Sequence, residues 1–267
     1  MFRDRRTTVR QQRMMGHGEM ELFAPGRAPV LVAMHGFGGT AAEIMPVLRA
    51  VADAGFAVEG ALLPGHGSRV EELQDQTYDT WLAATRARFD AAVSKYGQVV
   101  LLGFSLGSLL AIHIASERPA GLVGLVAMGN ALTVRPHTSW PFAAWDLTGK
   151  PLPDVFMLKP RAGDLVDPAL MDAIVSYDRH PVRAGHQVYL AGKRVLPLVP
   201  RIECPLLVLH GKRDMVCHWK NAPYLADHVA SRDVTLRIFE RSAHVLACDG
   251  EREEVVREVV QFVRRVG

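Results

Sequence analysis

Gln98-Val99-Val100-Leu101-Leu102-Gly103-Phe104-Ser105-Leu106-Gly107 is the stretch on which the reading of this chain turns. Val99 to Leu102 is an apolar run of strand length stopped by a glycine, and Ser105 to Arg118 follows as a helix ended by Pro119. Between them Gly103-Phe104-Ser105-Leu106-Gly107 matches G-x-S-x-G. Three fixed positions out of five carry little alone; a strand directly before and a helix directly after make the signal strong. The sharp turn lifts the serine side chain above a sheet and forces its backbone into strain, and the glycines let strand and helix approach. Ser105 is therefore the candidate nucleophile. The Leu106 N–H, unpaired at a helix start, is a candidate donor to developing negative charge. The plainer reading, a serine that caps a helix, does not account for the strand that precedes it.

Working outward, the same alternation recurs. Val30 to His35 reads as a buried strand stopped by Gly36, Glu43 to Ala54 as a helix closed by Gly55, and Phe56 to Ala61 as a second strand. Trp81, Thr85, Phe89, Val93 and Tyr96 recur at helical spacing, with Gly97 where a helix-terminating glycine belongs. Leu122 to Met128, Pro205 to His210 and Val234 to Phe239 are further strands, the last two separated by a helix around Tyr224 to Ala230. Glu251 to Val266 closes the chain as an amphipathic helix with acids early and arginines late, as the helix dipole favours. Alternating strands and helices predict the α/β class with a mostly parallel, doubly wound sheet. Residues 130–200 break the alternation. They hold many prolines with Trp140, Phe142, Trp145 and Phe156, and are too long for a structureless loop. They are expected to form a small helical cap insertion over the end of the sheet. The expected divisions are a basic tail over 1–14, a core over 15–129 and 201–267, and the insertion over 130–200.

His35-Gly36-Phe37-Gly38-Gly39 follows the first strong strand. In folds built around a G-x-S-x-G turn, the loop after that strand supplies a second oxyanion N–H, here the backbone of Phe37. His35 is expected to support the loop by hydrogen bonding. A serine hydroxyl is a weak nucleophile until a base takes its proton. Eleven histidines are present, so position must choose. His244 lies just past the Val234 to Phe239 strand and Asp214 just past Pro205 to His210, which gives the expected order of nucleophile, acid and base. Asp214 is expected to accept the Nδ1 proton of His244. Asp227, Asp233 and Glu240 are weaker rivals for the acid. His66 reads as a loop residue, and His210 and His218 as neighbours of the acid without a chemical role.

Composition bounds the rest. The chain has 267 residues, 49% hydrophobic and 22% charged, enough to bury a sizeable core and unlike a disordered sequence. Its net charge of +3 comes largely from Arg3, Arg5, Arg6, Arg10 and Arg13. This segment reads either as a solvated tail or as residues before a start at Met14 or Met15, and no basic face for nucleic acid is expected. No apolar run is long enough to span a bilayer. Arg5-Arg6 is not followed by an apolar stretch, so no secretory signal is expected and the cytoplasm is the expected compartment. Cys204, Cys217 and Cys248 are odd in number and show no metal-ligand spacing.

His35 to Gly39, Leu63-Pro64-Gly65-His66-Gly67, Gly103 to Gly107, Pro205 to Asp214 with Val216, and Ser242-Ala243-His244-Val245 together resemble the bacterial carboxylesterase and monoacylglycerol lipase branch of the α/β hydrolases. The resemblance implies the α/β-hydrolase fold with a short cap. It also implies hydrolysis of short- to medium-chain esters or monoacylglycerols through an acyl-enzyme, a small-molecule ester as partner, and no metal or organic cofactor. Two departures stand out. Ser108 occupies a position where many relatives carry a further glycine, and whether Cys217 and Cys248 approach each other is open. A thioesterase, an acyltransferase and a carbon–carbon bond hydrolase can use the same triad, and a non-catalytic ligand receptor can use the same fold. Dehalogenases and epoxide hydrolases need a carboxylate where Ser105 stands. The sequence leaves acyl length, alcohol preference and oligomeric state open.

Overall fold

Val30, Val32 and Met34 pack into one hydrophobic core while Leu31 and Ala33 pack into another. That is the period-two signature of a strand covered on both faces. The same split recurs at Val99 and Leu101 against Val100 and Leu102, and at Leu206 and Val208 against Leu207 and Leu209. The computed structural model describes residues 15–159 and 164–267. The tail that the sequence sets apart over 1–14 lies outside these residues.

A seven-stranded sheet forms the centre, in the order β1-β3-β2-β4-β5-β8-β9. Its strands are β1 (Leu22–Ala24), β2 (Arg27–Met34), β3 (Phe56–Gly60), β4 (Val99–Phe104), β5 (Leu122–Met128), β8 (Leu206–Gly211) and β9 (Val234–Phe239). Only β1 runs antiparallel, along β3; every other neighbouring pair is parallel. Helices α1 (Met45–Asp53) and α8 (Arg252–Val266) cover one face, burying Val47, Leu48 and Val51 with Val255, Val259 and Phe262. On the other face lie α3 (Tyr78–Tyr96), α4 (Leu106–Ser116) and α7 (Asn221–His228), with Trp81, Phe89, Leu109, Leu110 and Leu225 in the core. A short helix α2 (Val70–Gln74), not expected from the sequence, links β3 to α3. Among the described residues no helix is long and apolar enough to cross a membrane.

Between β5 and β8 the chain leaves the sheet. It forms α5 (Pro136–Asp146), the strands β6 (Phe156–Leu158) and β7 (Arg179–Pro181), and α6 (Val182–Val195). The β6–β7 pair is antiparallel and separate from the main sheet. It adds a strand component to a segment expected to be helical; three-residue strands are too short to show a period. The aromatic residues of this segment divide between two environments. Phe142 is buried against His186 and Tyr189, whereas Trp140 is 75% exposed.

Candidate active site

The turn between β4 and α4 sets the geometry. Ser105 takes φ 52° and ψ −115°, a left-handed backbone that costs a non-glycine residue on the order of 1–3 kcal/mol. Space explains the flanking glycines. A Cβ on Gly103 would lie 2.2 Å from the Gly107 carbonyl oxygen, and one on Gly107 would lie 2.3 Å from that of Met34. The turn is also tied from below: Ser105 N–H donates to Met128 O at 3.0 Å. Ser108, the residue that departs from the resemblance, donates its hydroxyl to Ser105 O at 2.5 Å and accepts from Ala131 N–H at 3.3 Å. It thereby fastens the turn to the chain leaving β5, a role invisible in the sequence because it depends on a partner 23 residues away.

Above this turn the three expected side chains converge. His244 Nε2 lies 3.1 Å from Ser105 Oγ, and His244 Nδ1 lies 2.7 Å from Asp214 Oδ2. The carboxylate can only accept at neutral pH, so Nδ1 carries the proton and Nε2 faces the serine as acceptor. Asp214 is fully buried and held on both oxygens. Oδ1 accepts from Val216 N–H at 2.7 Å and Cys217 N–H at 2.8 Å, while Oδ2 accepts from His244 and, at 2.9 Å, from His210 Nε2. His210 thus contacts the acid directly, more than a neighbour's place. Arg135 caps the Asp214 carbonyl at 2.6 Å. Of the three rival acids, Asp233 is paired with Arg265 and Glu240 with Lys212.

The electrostatics follow from these partners. Burial alone pushes the Asp214 carboxyl up, but the charge of His244 and the bonds from His210 and His244 outweigh it and hold it well below the usual carboxylate range. For His244, burial favours the neutral ring. Asp214, through charge and hydrogen bond, and then Asp164 and Glu43 reverse that and raise its pKa above 6.5. Cys217 lies beside the triad with its thiol pushed well above its ordinary value by burial and then by the Asp214 charge, so it is uncharged. Asp214, Cys217 and His244 bring ligand atoms within 4.8 Å of one another. A protonated thiol and a carboxylate already filled by four donors do not suit a metal ion. The cysteines are free thiols, and Cys248 points away to Ala42 O and Glu43 O.

Several hydrogen bonds hold the loop after β2. His35 accepts from Leu63 N–H at Nε2 (3.0 Å), so its Nδ1–H donates to Gly36 O at 2.8 Å. His66 accepts from Gly38 N–H at Nε2 (3.0 Å) and donates from Nδ1 to Pro64 O. Both imidazoles are kept neutral by burial, His35 with its pKa lowered to about 4 and His66 well below 6.5. Tyr177, between β6 and β7, donates its N–H to Gly38 O at 2.8 Å, and the His180 ring packs 4.8 Å from that of Phe37. Among the described residues neither the Phe37 N–H nor the Leu106 N–H donates to a protein acceptor.

The chain resembles known proteins along most of its length. The family profile described as Hydrolase_4, serine aminopeptidase, S33, matches residues 26–251. The chain is 25% identical over 244 residues to a thermostable monoacylglycerol lipase of Bacillus sp. (strain H-257), covering 91% of this chain and 93% of that protein. The structure of a metagenome-derived lipolytic enzyme, from work on LipS and LipT, superposes with a TM-score of 0.84 at 24% identity over 94% of this chain and 99% of that one. The monoacylglycerol lipase of Paleococcus ferrophilus superposes with a TM-score of 0.76 at 22% identity, covering 93% of this chain and 100% of that one. The chain belongs to the S33 family of serine hydrolases with the α/β-hydrolase fold.

Proposed function

We propose that the protein is a carboxylic ester hydrolase that works through an acyl-enzyme on Ser105, with short- to medium-chain acyl esters or monoacylglycerols as substrates. The observation that carries the reading is the unbroken path from Ser105 Oγ through the His244 ring to Asp214, at 3.1 and 2.7 Å. Relatives named as monoacylglycerol lipases and a carboxylesterase support the choice of an ester. In the proposed cycle, His244 Nε2 takes the Ser105 proton as Oγ attacks the ester carbonyl. The Phe37 and Leu106 N–H groups receive the oxyanion, each lowering the barrier by about 3 kcal/mol. His244 then gives the proton to the leaving alcohol, and water repeats the sequence on the acyl-enzyme. Residues 130–200 act as a cap. Their support is direct contact with the loop after β2: Tyr177 N–H on Gly38 O and the His180 ring on Phe37.

The family description also names an aminopeptidase, and the same triad opens amides. The test therefore presents the purified full chain with p-nitrophenyl esters of increasing acyl length, a monoacylglycerol, and an aminoacyl p-nitroanilide. Ester turnover with a short- to medium-chain optimum is expected. In folded Ser105→Ala it falls by on the order of 10⁴-fold or more. Retained ester turnover in that variant overturns the assignment of the nucleophile. Preferential cleavage of the anilide replaces ester with peptide as the substrate.

A further inference from the structure

Glu43 is a buried acid that the triad does not use. It is 3% exposed, in the 3₁₀ turn Ala41–Ile44 that precedes α1, and its carboxyl folds back into the loop after β2. Gly36 N–H donates to its Oε2 at 3.0 Å. The carboxyl also fills the hollow of that loop. A Cβ on Gly39 would lie 2.3 Å from its carboxyl atoms and one on Gly36 2.9 Å from Oε2. Both ends of Gly36 are therefore fixed, its N–H by Glu43 and its carbonyl by His35 Nδ1–H at 2.8 Å and Gly39 N–H at 3.3 Å. In a trans peptide the N–H points opposite to the carbonyl. Fixing Gly36 O thus aims the Phe37 N–H away from His35, the direction left without a protein acceptor among the described residues.

We propose that Glu43 is a positioning residue for the oxyanion donor: by holding the Gly36 N–H and filling the hollow beneath Gly36 and Gly39, it keeps the loop in the shape in which His35 and Gly39 fix Gly36 O and so aim the Phe37 N–H. The catalytic part rests on the acyl-transfer reading above; the clamping part rests on the loop geometry alone. Charged and titratable groups face Glu43 from several segments. Lys159 and Asp164, paired at 2.8 Å, lie between β6 and β7, His244 follows β9, and the Cys248 thiol lies 3.4 Å from Glu43 O. Burial raises the Glu43 carboxyl to about 7, with Lys159, the Gly36 N–H and His244 opposing the rise and Asp164 adding to it. Either protonation state keeps a carboxyl oxygen that can accept from Gly36, so glutamine is a faithful stand-in. Asp164 also accepts from Val245 N–H at 2.8 Å, which connects the same cluster to the loop that carries His244.

The test compares Glu43→Gln, Glu43→Ala and Glu43→Leu in the full chain, by hydrogen exchange of the peptide spanning residues 35–40 and by steady-state hydrolysis of p-nitrophenyl butyrate. Leucine keeps the volume and removes the acceptor. In Ala and Leu, exchange of the loop should accelerate and kcat fall by about 10- to 100-fold with KM changed less than about threefold, because the donor acts mainly on the transition state. Gln should restore both readouts to near the parent. Unchanged exchange in Ala and Leu, or a leucine variant with the parent's kcat, overturns the proposal by leaving Glu43 as packing only. If the parent hydrolyses no ester, the acyl-transfer reading fails while the exchange arm still decides the clamp.

Discussion

At the scale of the residue, the site turns on which proton sits where on His244. Asp214 Oδ2 accepts from Nδ1 at 2.7 Å, leaving Nε2 free to face Ser105. Asp214→Asn can present an N–H to Nδ1 instead, which favours the tautomer with its proton towards the serine. Turnover should then drop by on the order of 10³–10⁴-fold while KM stays near the parent's, and a kcat within tenfold would point to another acid. The pH profile follows from the same contacts. The base works only when neutral, so kcat/KM should rise with pH through the pKa of His244. Because Asp214, Asp164 and Glu43 together raise that pKa against the effect of burial, the acid limb should have its midpoint above 6.5. In Asp214→Asn the largest raising influence is gone and burial remains, so the midpoint of the residual activity should move down. A profile unchanged by the substitution would separate His244 from Asp214. Ser105, Asp214 and His244 were legible in the sequence because each lies just past an apolar strand. Glu43 was not: read along the chain it is an acid at the start of a helix, and its role appears only when the loop folds back over it.

At the scale of the element, glycines decide how closely strand and helix can meet. Gly103 and Gly107 are places where chain packs on chain with no room for a methyl group. Gly107→Ala would press Cβ against the Met34 carbonyl on the neighbouring strand, and neither partner is a flexible side chain. The expected cost is at least about 1–3 kcal/mol, read as a thermal midpoint several degrees lower, together with loss of turnover as Ser105 is displaced. Parent-like stability and activity would show that the turn has slack the distances do not suggest. Strands β2, β4, β5 and β8 were readable because buried parallel strands are continuous apolar runs, and β9, a partly buried edge strand, because Val234, Leu236 and Ile238 alternate with Thr235 and Arg237. The β6–β7 pair and α2 were not, being three to five residues long and partly exposed. Their positions depend on contacts with distant segments, such as Tyr177 on Gly38, more than on local pattern.

At the scale of the whole molecule, one sheet brings together loops that are far apart in sequence. The loops after β2, β4, β8 and β9 all emerge at the carboxyl ends of parallel strands, where crevices form in open α/β sheets. Described residues of the segment between β5 and β8 touch the loop after β2 through Tyr177 and His180 and the loop after β9 through Asp164. In the proposed mechanism, catalysis depends on convergence of four loops and not on any single motif. In that mechanism this convergence makes the hydroxyl of Ser105 unusually nucleophilic. Treatment of the native chain with a fluorophosphonate, followed by mass mapping of the digested protein, tests it most directly. One covalent adduct is expected, on Ser105, and it disappears when the protein is denatured first and in His244→Ala. No adduct on the folded parent, or an adduct on a different serine, would contradict it.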